Sequence, residues 1–412
     1  EDSRRGGTRY SYTPTGQLER AEYPDGRVQW RKSDQTGNLY PDPDMKLRRY
    51  LGGGRLEQDG EWHCEYDADG NLTERYLGTG RWLDGKKDRW RYRWNADGSL
   101  AKVVRPDKRE VEFTYDALGR RLSKSFGTMV TRWVWNGNVP LHQWKQHREY
   151  SVVEDRWNTD TERRDMTVWL FDEDSFVPVA MIKEGRSYSI LTDQLGTPTE
   201  AYDAEGNEVW SRVLDMDGNV IEETGNKGMV PFLFQGQYYD RETGLAYNRF
   251  RYYSPQMGMY VSQDPIGLEG GILNLYGYVD DTNIVIDLFG LSGRGGSTHQ
   301  NIQNQLAISL GENAEIEGQI KLKNKKSRFG DVVVRDNDGK IIEVHQIGDM
   351  RSRGGFRPSA RERGAIMDIR EALGDKVRIV FHDKRQRVTL INPDKADDWK
   401  EPDKKHRKNS YS

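Results

Sequence analysis

The sequence predicts a mainly β chain: a long antiparallel sheet of hairpins over residues 1–291, followed by a small α/β module. Three observations predict this. Units of an aromatic residue, a short Asp/Gly turn and an alternating strand recur along the first part. The chain holds 12 Trp and 21 Tyr although only 34% of it is hydrophobic and 31% is charged. At Asp287-Leu-Phe-Gly-Leu291, followed by Ser292-Gly-Arg-Gly-Gly296, the repeats stop and a helix-and-strand rhythm begins.

Composition excludes several classes. Disordered chains lack aromatics, whereas Tyr and Trp alternating with charge suit a pleated surface that buries one face. The single Cys64 rules out an intrachain disulfide framework. No apolar run reaches the length of a membrane-crossing helix. The first residue is Glu1, so the chain reads as the C-terminal fragment of something longer, without N-terminal targeting information. From Ser292 on, 25 Lys/Arg face 18 Asp/Glu, which makes the module +7 and the preceding part −10 of the net −3. A basic module suits a polyanionic partner.

The repeats are Tyr23-Pro-Asp-Gly26, Tyr66-Asp-Ala-Asp-Gly70, Trp94-Asn-Ala-Asp-Gly98, Tyr115-Asp-Ala-Leu-Gly119 and Tyr202-Asp-Ala-Glu-Gly206. Asp-Gly supplies the positive φ of tight hairpin turns. The flanking Trp90-Arg-Tyr-Arg-Trp-Asn95 and Glu110-Val-Glu-Phe-Thr-Tyr115 alternate with period two, as half-buried strands do. A meandering sheet that curls on itself follows. Periodicity alone fits a binding solenoid or propeller equally well.

Tyr66-Asp-x-x-Gly70-Asn-Leu72 and Tyr115-Asp-x-x-Gly119-Arg-Arg-Leu122 resemble the YD repeats of the Rhs (rearrangement hotspot) family. Thr192-Asp-Gln-Leu-Gly-Thr-Pro198, Phe234-Gln-Gly-Gln-Tyr-Tyr-Asp240, Glu242-Thr-Gly-Leu-Ala-Tyr-Asn-Arg-Phe-Arg-Tyr-Tyr253 and Ser262-Gln-Asp-Pro-Ile-Gly-Leu268 resemble the end of an Rhs core. The departures are Ser254 for a usual Asp, Met259 for a common Arg, and Leu288 for Pro in the terminal motif. The resemblance, over about residues 8–291, implies a YD-repeat antiparallel β-cocoon, here a partial shell, around a C-terminal toxin. It also implies an effector of type VI secretion or a related bacterial delivery system. Such an effector would be made in the bacterial cytoplasm with a secretion apparatus and chaperone as partners, and would act in the target-cell cytoplasm.

Two carboxylates end this core, in Asp264-Pro-Ile-Gly-Leu268 and Asp287-Leu-Phe-Gly-Leu291. Paired carboxylates cannot both ionise easily, so one keeps a proton as general acid while the other activates water. Asp-Pro and Asp followed by Gly equally favour plain turns. The Rhs resemblance implies an aspartyl-type self-cleavage by Asp264 and Asp287 at the Leu291–Ser292 bond. Leu288 bears on it, because Pro would restrict the backbone that places Asp287.

The module spans 292–412, with a core at about 297–392 and a charged tail from 393. Ser297 to Leu310 predicts a helix, with Ile302, Leu306 and Leu310 on one face. Glu315 to Leu322 predicts a strand. Gly330 to Arg335 and Lys340 to Gln346 predict two more, joined by the Asp336-Asn-Asp-Gly339 turn. A second helix opens at Ser359-Ala-Arg-Glu362, a capping box, and stops at Gly374. Lys376 to Phe381 and Arg387 to Ile391 complete an α-β-β-β-α-β-β order.

Asp331 opens one strand, and Glu343 and His345 share a face of the next, with the hairpin bringing Asp331 near them. Converging carboxylates suit Mg²⁺, and a nitrogen two residues on can activate water. Basic residues (Lys321 to Arg328, Arg351, Arg353, Arg357, Arg361, Arg363) suit a phosphate backbone. Exposed acids beside strands are common, so the pattern alone is loose.

Arg328-Phe-Gly-Asp331 and Ile342-Glu-Val-His345-Gln346 resemble the PD-(D/E)xK nucleases, which have the restriction-endonuclease-like fold, with His345 where Lys is usual. The resemblance implies Asp331 and Glu343 as ligands of Mg²⁺ or Mn²⁺, His345 or Gln346 positioning water, and Gln303 as an added polar group. The substrate would be DNA or RNA, and a cognate immunity protein would restrain the module. The alternatives are an RNase or nucleotide-modifying toxin on the same shell, or a non-enzymatic repeat adhesion or scaffold protein. Zinc deaminase chemistry is disfavoured because no Cys follows Cys64.

Overall fold

The computed structural model describes residues 6–14, 16–78, 87–173, 175–267 and 273–291. Of the later chain it describes residues 314–321, 327–336, 338–348, 350–351, 357–358, 360–374, 376–383 and 389–391. The chain divides into two units, Glu1–Gly295 and Gly296–Ser412.

In the first unit, Arg9–Tyr12, Leu18–Glu22 and Val28–Trp30 form a three-stranded sheet. The main sheet runs from Arg48–Leu51 to Val220–Gly225 and curls into a barrel. Consecutive strands pair antiparallel, except where the hairpin arm Arg156–Thr159 branches from the long strand Val139–Ser151.

The repeat has a physical cause visible in each turn. The Asp67 N–H donates to the Asn71 carbonyl at 3.0 Å and the Gly70 N–H to the Asp67 carbonyl at 3.1 Å. The Asp67 carboxylate then accepts the Asn71 N–H at 2.8 Å, which makes the Asp a clasp for its own loop. The same clasp recurs at Asp203 with Asn207 and at Asp215 with Asn219. Gly70 sits at φ +80°, a conformation that side chains other than glycine rarely adopt. The expectation of tight turns is thus refined to a wider, Asp-clasped loop.

Beside these loops the strand register shifts at the aromatic residue itself: Arg93/Trp94, Thr114/Tyr115, Val134/Trp135 and Ala201/Tyr202. A bulge increases local twist, so one bulge per repeat curls the sheet. The displaced aromatic reaches a carbonyl on the preceding repeat. Trp94 Nε1 donates to Leu72 O at 2.8 Å, the Tyr115 hydroxyl to Leu100 O at 2.7 Å, and Trp135 Nε1 to Arg121 O at 2.8 Å.

Residues between Met229 and Tyr276 pack against this wall. A second sheet, Tyr238–Asp240, Leu245–Asn248, Arg251–Ser254 and Met259–Tyr260, brings Tyr247 and Tyr252, with Val261 and Tyr276 that follow it, into one core with Trp133, Trp169 and Trp210 of the wall. Irregular backbone buried there needs donors, because an unpaired buried carbonyl is costly. Arg31 supplies Val279 and Asp280 carbonyls, Arg48 the Met257 carbonyl, and Leu72 N–H the Val261 carbonyl. Arg121, fully buried, clamps Asp240 through Nη1 and Nη2, and Lys124 Nζ meets the same carboxylate at 3.0 Å.

The second unit holds a five-stranded sheet, in spatial order Ala314–Lys321, Ser327–Arg335, Ile341–Gly348, Arg378–Asp383 and Thr389–Ile391. Ile341–Gly348 and Arg378–Asp383 run parallel, as a helical crossover requires. That helix, Ala360–Leu373, places Ile366 and Ile369 on Val333, Val344, Ile379 and Phe381, and ends where Gly374 donates to the Arg370 carbonyl at φ +77°. The strands and this helix match the predicted order, with ends shifted by a few residues. The expected first helix at 297–310, with Gln303, lies outside the described residues, as does Ser359 of the capping box.

Candidate functional site

The chain's last described stretch in the first unit folds back into the core. Leu288, Phe289 and Leu291 are buried together against Phe176, Phe250 and Ile266. Burying side chains of this size stabilises by about 1.5–3 kcal/mol each. Gly290 stands at φ +71°, and a Cβ on it would lie 2.6 Å from the Asn248 carbonyl, so only glycine passes there.

Asp287 organises this loop. Its Oδ1 accepts the N–H groups of Phe289 at 3.3 Å, Gly290 at 2.8 Å and Leu291 at 3.1 Å. Its Oδ2 accepts the Tyr260 hydroxyl at 2.7 Å, and Asn248 Nδ2 donates to its carbonyl at 2.9 Å. Leu288 is buried, the carbonyls of Asp287 before it and Phe289 after it accept hydrogen bonds, and a Cβ on Gly236 would come 2.3 Å from the Leu288 carbonyl.

Asp264 arrives from the opposite direction, its N–H bonded to the Leu275 carbonyl at 2.9 Å and its Oδ1 accepting the Ile266 N–H at 3.0 Å. The two carboxylates meet at one nitrogen. Arg251 Nη2 lies 3.1 Å from Asp264 Oδ2 and 3.5 Å from Asp287 Oδ2. Exposure is 1% for Arg251, 8% for Asp264 and 1% for Asp287, so one cation faces two anions away from water. Burial pushes the Asp264 carboxyl up to about 6; Asp287 adds to the rise while Arg251 and the Ile266 N–H oppose it. Arg251 also donates through Nε to the Gly290 carbonyl and through Nη1 to the Leu275 carbonyl at 3.0 Å, and its guanidinium stacks on Tyr260 at 3.7 Å. The structure therefore brings Asp264, Asp287 and Leu291 together, while Ser292 lies outside the described residues. Sequence reasoning assigned no role to Arg251, Tyr260 or Asn248. Their only signal was membership of the Asn248-Arg-Phe-Arg-Tyr-Tyr253 block and its flank.

In the second unit, Glu343 and His345 face the same side, with Nε2 of His345 3.1 Å from Oε1 of Glu343 and Arg378 Nη1 3.7 Å from that same oxygen. His345 is buried and Glu343 half-buried. Gln346 is also buried but is the next residue along the strand, and its Nε2 lies 3.4 Å from the His345 carbonyl. Asp331 does not open its strand; it stands within Ser327–Arg335. Val332 pairs with His345 and Val334 with Glu343, so Asp331 occupies the alternate register phase, shared with Val333, Val344 and Gln346. Its side chain lies outside the described residues. Among the described residues no three His, Cys, Asp or Glu side chains converge as a metal cage. One carboxylate and one imidazole are not the oxygen-rich set that Mg²⁺ prefers.

A family model, Teneurin YD-shell, matches residues 2–283. The chain belongs to the Teneurin YD-shell family. Within this family and its Rhs relatives, the chain is 33% identical over 316 residues to Double-stranded DNA deaminase toxin A of Burkholderia cenocepacia (strain H111), covering 71% of this chain and 21% of that protein. It is 30% identical over 249 residues to Probable deoxyribonuclease RhsB of Dickeya dadantii (strain 3937), covering 58% and 16%. It is 33% identical over 270 residues to Toxin protein Tse5 of Pseudomonas aeruginosa, covering 57% and 20%. The chain thus spans about a fifth of the length of these relatives. Its YD shell is an Rhs-type shell related to those of toxins. No helix among the described residues is long and apolar enough to cross a membrane.

Proposed function

We propose that the YD shell cuts its own chain after Leu291 and releases the second unit as a nuclease toxin. The observation that carries the first half is the Arg251 nitrogen shared by Asp264 and Asp287, buried beside Leu291. Two carboxylates on one guanidinium leave one negative charge in excess, which a proton on Asp264 removes. Asp287 then takes a proton from water as the water oxygen bonds to the Leu291 carbonyl carbon. Asp264 gives its proton to the departing Ser292 nitrogen as the C–N bond breaks, and the two products are a Leu291 carboxylic acid, which then loses its proton to solvent, and a Ser292 amine. Arg251 holds both acids and the Gly290 carbonyl, and so acts as a positioning residue. Freshly made chain should run as pieces of 291 and 121 residues on a denaturing gel. An intact wild-type band that persists after purification would refute the self-cutting reading.

For the second unit, we propose phosphodiester hydrolysis, with DNA the first substrate to test. Support comes from the Glu343–His345 contact, the basic balance of this unit and relatives named as deoxyribonucleases. Glu343 orients the imidazole, which takes the proton of the attacking water as the P–O bond breaks. Magnesium or manganese would supply Lewis-acid stabilisation of the phosphate, but the described donors do not complete its site and no step is assigned to it. The proposed sequence of events places synthesis in a producing bacterium, delivery to a target cytoplasm, and restraint by an immunity protein in the producer. The test is nicking of plasmid DNA by the released unit with and without EDTA. Undiminished nicking by Glu343→Ala and His345→Ala would remove the pair from the mechanism. Loss with Asp331→Ala at a retained melting temperature would bring Asp331 into it despite its register phase.

A further inference from the structure

Tyr260 and Asn248 stand against the acid pair, both fully buried, and neither exchanges a proton in the proposed cut. The Tyr260 hydroxyl lies 2.7 Å from Asp287 Oδ2 and 2.7 Å from Asn248 Nδ2. The asparagine decides which way its proton points. Asn248 Nδ2 also lies 2.9 Å from the Asp287 carbonyl, which can only accept, so this end of the amide is the NH2. Its two protons go to that carbonyl and to the Tyr260 oxygen, which leaves the tyrosine's own proton for Asp287 Oδ2. Burial, and next the Asp287 charge, hold the hydroxyl well above its ordinary range, so it keeps that proton. The ring is held in this direction. The Tyr260 N–H donates to the Tyr276 carbonyl at 2.8 Å, Tyr253 and Tyr278 meet the ring at 5.7 and 5.8 Å, and Arg251 covers its face.

We propose that Tyr260, oriented by Asn248, is a positioning residue that keeps Asp287 ionised and so assigns the proton to Asp264. The proposal rests on the self-cutting reading and deepens it. The donors on the two acids are unequal. Asp287 accepts three main-chain N–H groups and this hydroxyl, Asp264 accepts the Ile266 N–H, and both share Arg251. Hydrogen bonds to a carboxylate favour its charged form, so the acid with more donors becomes the base. The three N–H groups sit on Oδ1 and order the loop. Tyr260 serves Oδ2, the oxygen that faces Arg251 and, through it, the partner acid. Without the hydroxyl the proton divides more evenly between the acids, and the base is protonated more of the time.

The test is the pH profile of cutting by the full chain, recovered uncut in urea and refolded by dilution at about pH 4 to 9. Wild type should slow at low pH, where Asp287 takes a proton, and at high pH, where Asp264 loses one. Tyr260→Phe should move the low-pH fall upward by about one unit, which is about tenfold slower cutting on that side, and move the high-pH fall less. Its melting temperature in the Asp264→Asn background reports folding. Uniform slowing at every pH, or an unmoved profile, would overturn the role of Tyr260 and leave the self-cutting reading in place. No cutting by wild type at any pH would overturn both. Should Tyr260→Phe fail to fold, Tyr260→3-fluorotyrosine keeps the ring and donates more strongly. It should move the low-pH fall downward, and a profile identical with wild type would overturn the proposal.

Discussion

The turn at Asp203 and the loop at Asp287 are built from the same local chemistry and have opposite surroundings. In both, an Asp is followed three residues later by a glycine at positive φ, and its carboxylate accepts main-chain N–H groups of the residues that follow. At Asp203 the turn is exposed, and the Asn207 side chain and main chain hold its carboxyl below the usual range. At Asp287 the loop is buried, a second carboxylate stands across a shared guanidinium, and that partner's carboxyl is pushed up to about 6. One clasp closes a hairpin; the other holds a buried loop beside two acids. The same local motif acquires a perturbed neighbouring acid when burial and a second charge are added to it.

The comparison is broken most directly by removing one acid at a time. Asp287→Asn and Asp264→Asn should each slow chain cleavage by roughly a thousandfold or more, since each removes one of the two proton transfers. Asp203→Asn should leave cleavage intact. A pulse-chase of freshly translated chain on denaturing gels reads this, and cleavage at the wild-type rate in Asp264→Asn would end the two-acid reading.

Arg251→Met comes next. Stripping the cation from the remaining buried carboxylate, Asp264, should destabilise the first unit by about 3–5 kcal/mol, measured by chemical denaturation in the Asp287→Asn background so that all chains are intact. A loss below about 1 kcal/mol, the scale of an exposed ion pair, would show that the site is wet.

The pH dependence should be smaller and signed. The Asp264 carboxyl titrates higher in the folded chain than in an unfolded one, because burial penalises its charge. Its contribution is therefore fully present below the ordinary carboxylate range and is lost as pH rises through about 6. At most this amounts to about 3 kcal/mol. Cleavage should follow, falling about tenfold per pH unit above that value. A rate that is flat from pH 5 to 8 would contradict Asp264 as the acid.

The mildest contrast uses the glycines. Gly206→Ala has open space around its Cβ, and the strain of positive φ should cost about 1 kcal/mol. Gly290→Ala adds a 2.6 Å approach to the Asn248 carbonyl and should cost more, about 2–3 kcal/mol, with slower cleavage. Thermal melts rank the two, and equal effects would mean that the buried loop relaxes as freely as the exposed one.

By itself the sequence determined the local devices. An Asp, two variable residues and a Gly fold as a clasped turn wherever they occur, because donor, acceptor and positive φ all lie within five residues. Period-two strands and the Ser327–Arg335 and Ile341–Gly348 hairpin were legible for the same reason. The pairing of Asp264 with Asp287 came through family resemblance, not through any spacing, since the residues lie 23 apart and meet only at Arg251. Arg251 itself carried no signal of its role, because a guanidinium becomes a shared counter-ion only when the core closes around it. The register of Asp331 was likewise a tertiary matter. The hairpin was readable, but which residue faces which depended on a bulge between Val334 and Arg335 that composition does not mark. Local hydrogen bonding is written in short strings of residues. Burial and the meeting of distant charges arise only when the sheet curls, and they decide which of many similar carboxylates share a buried counter-ion.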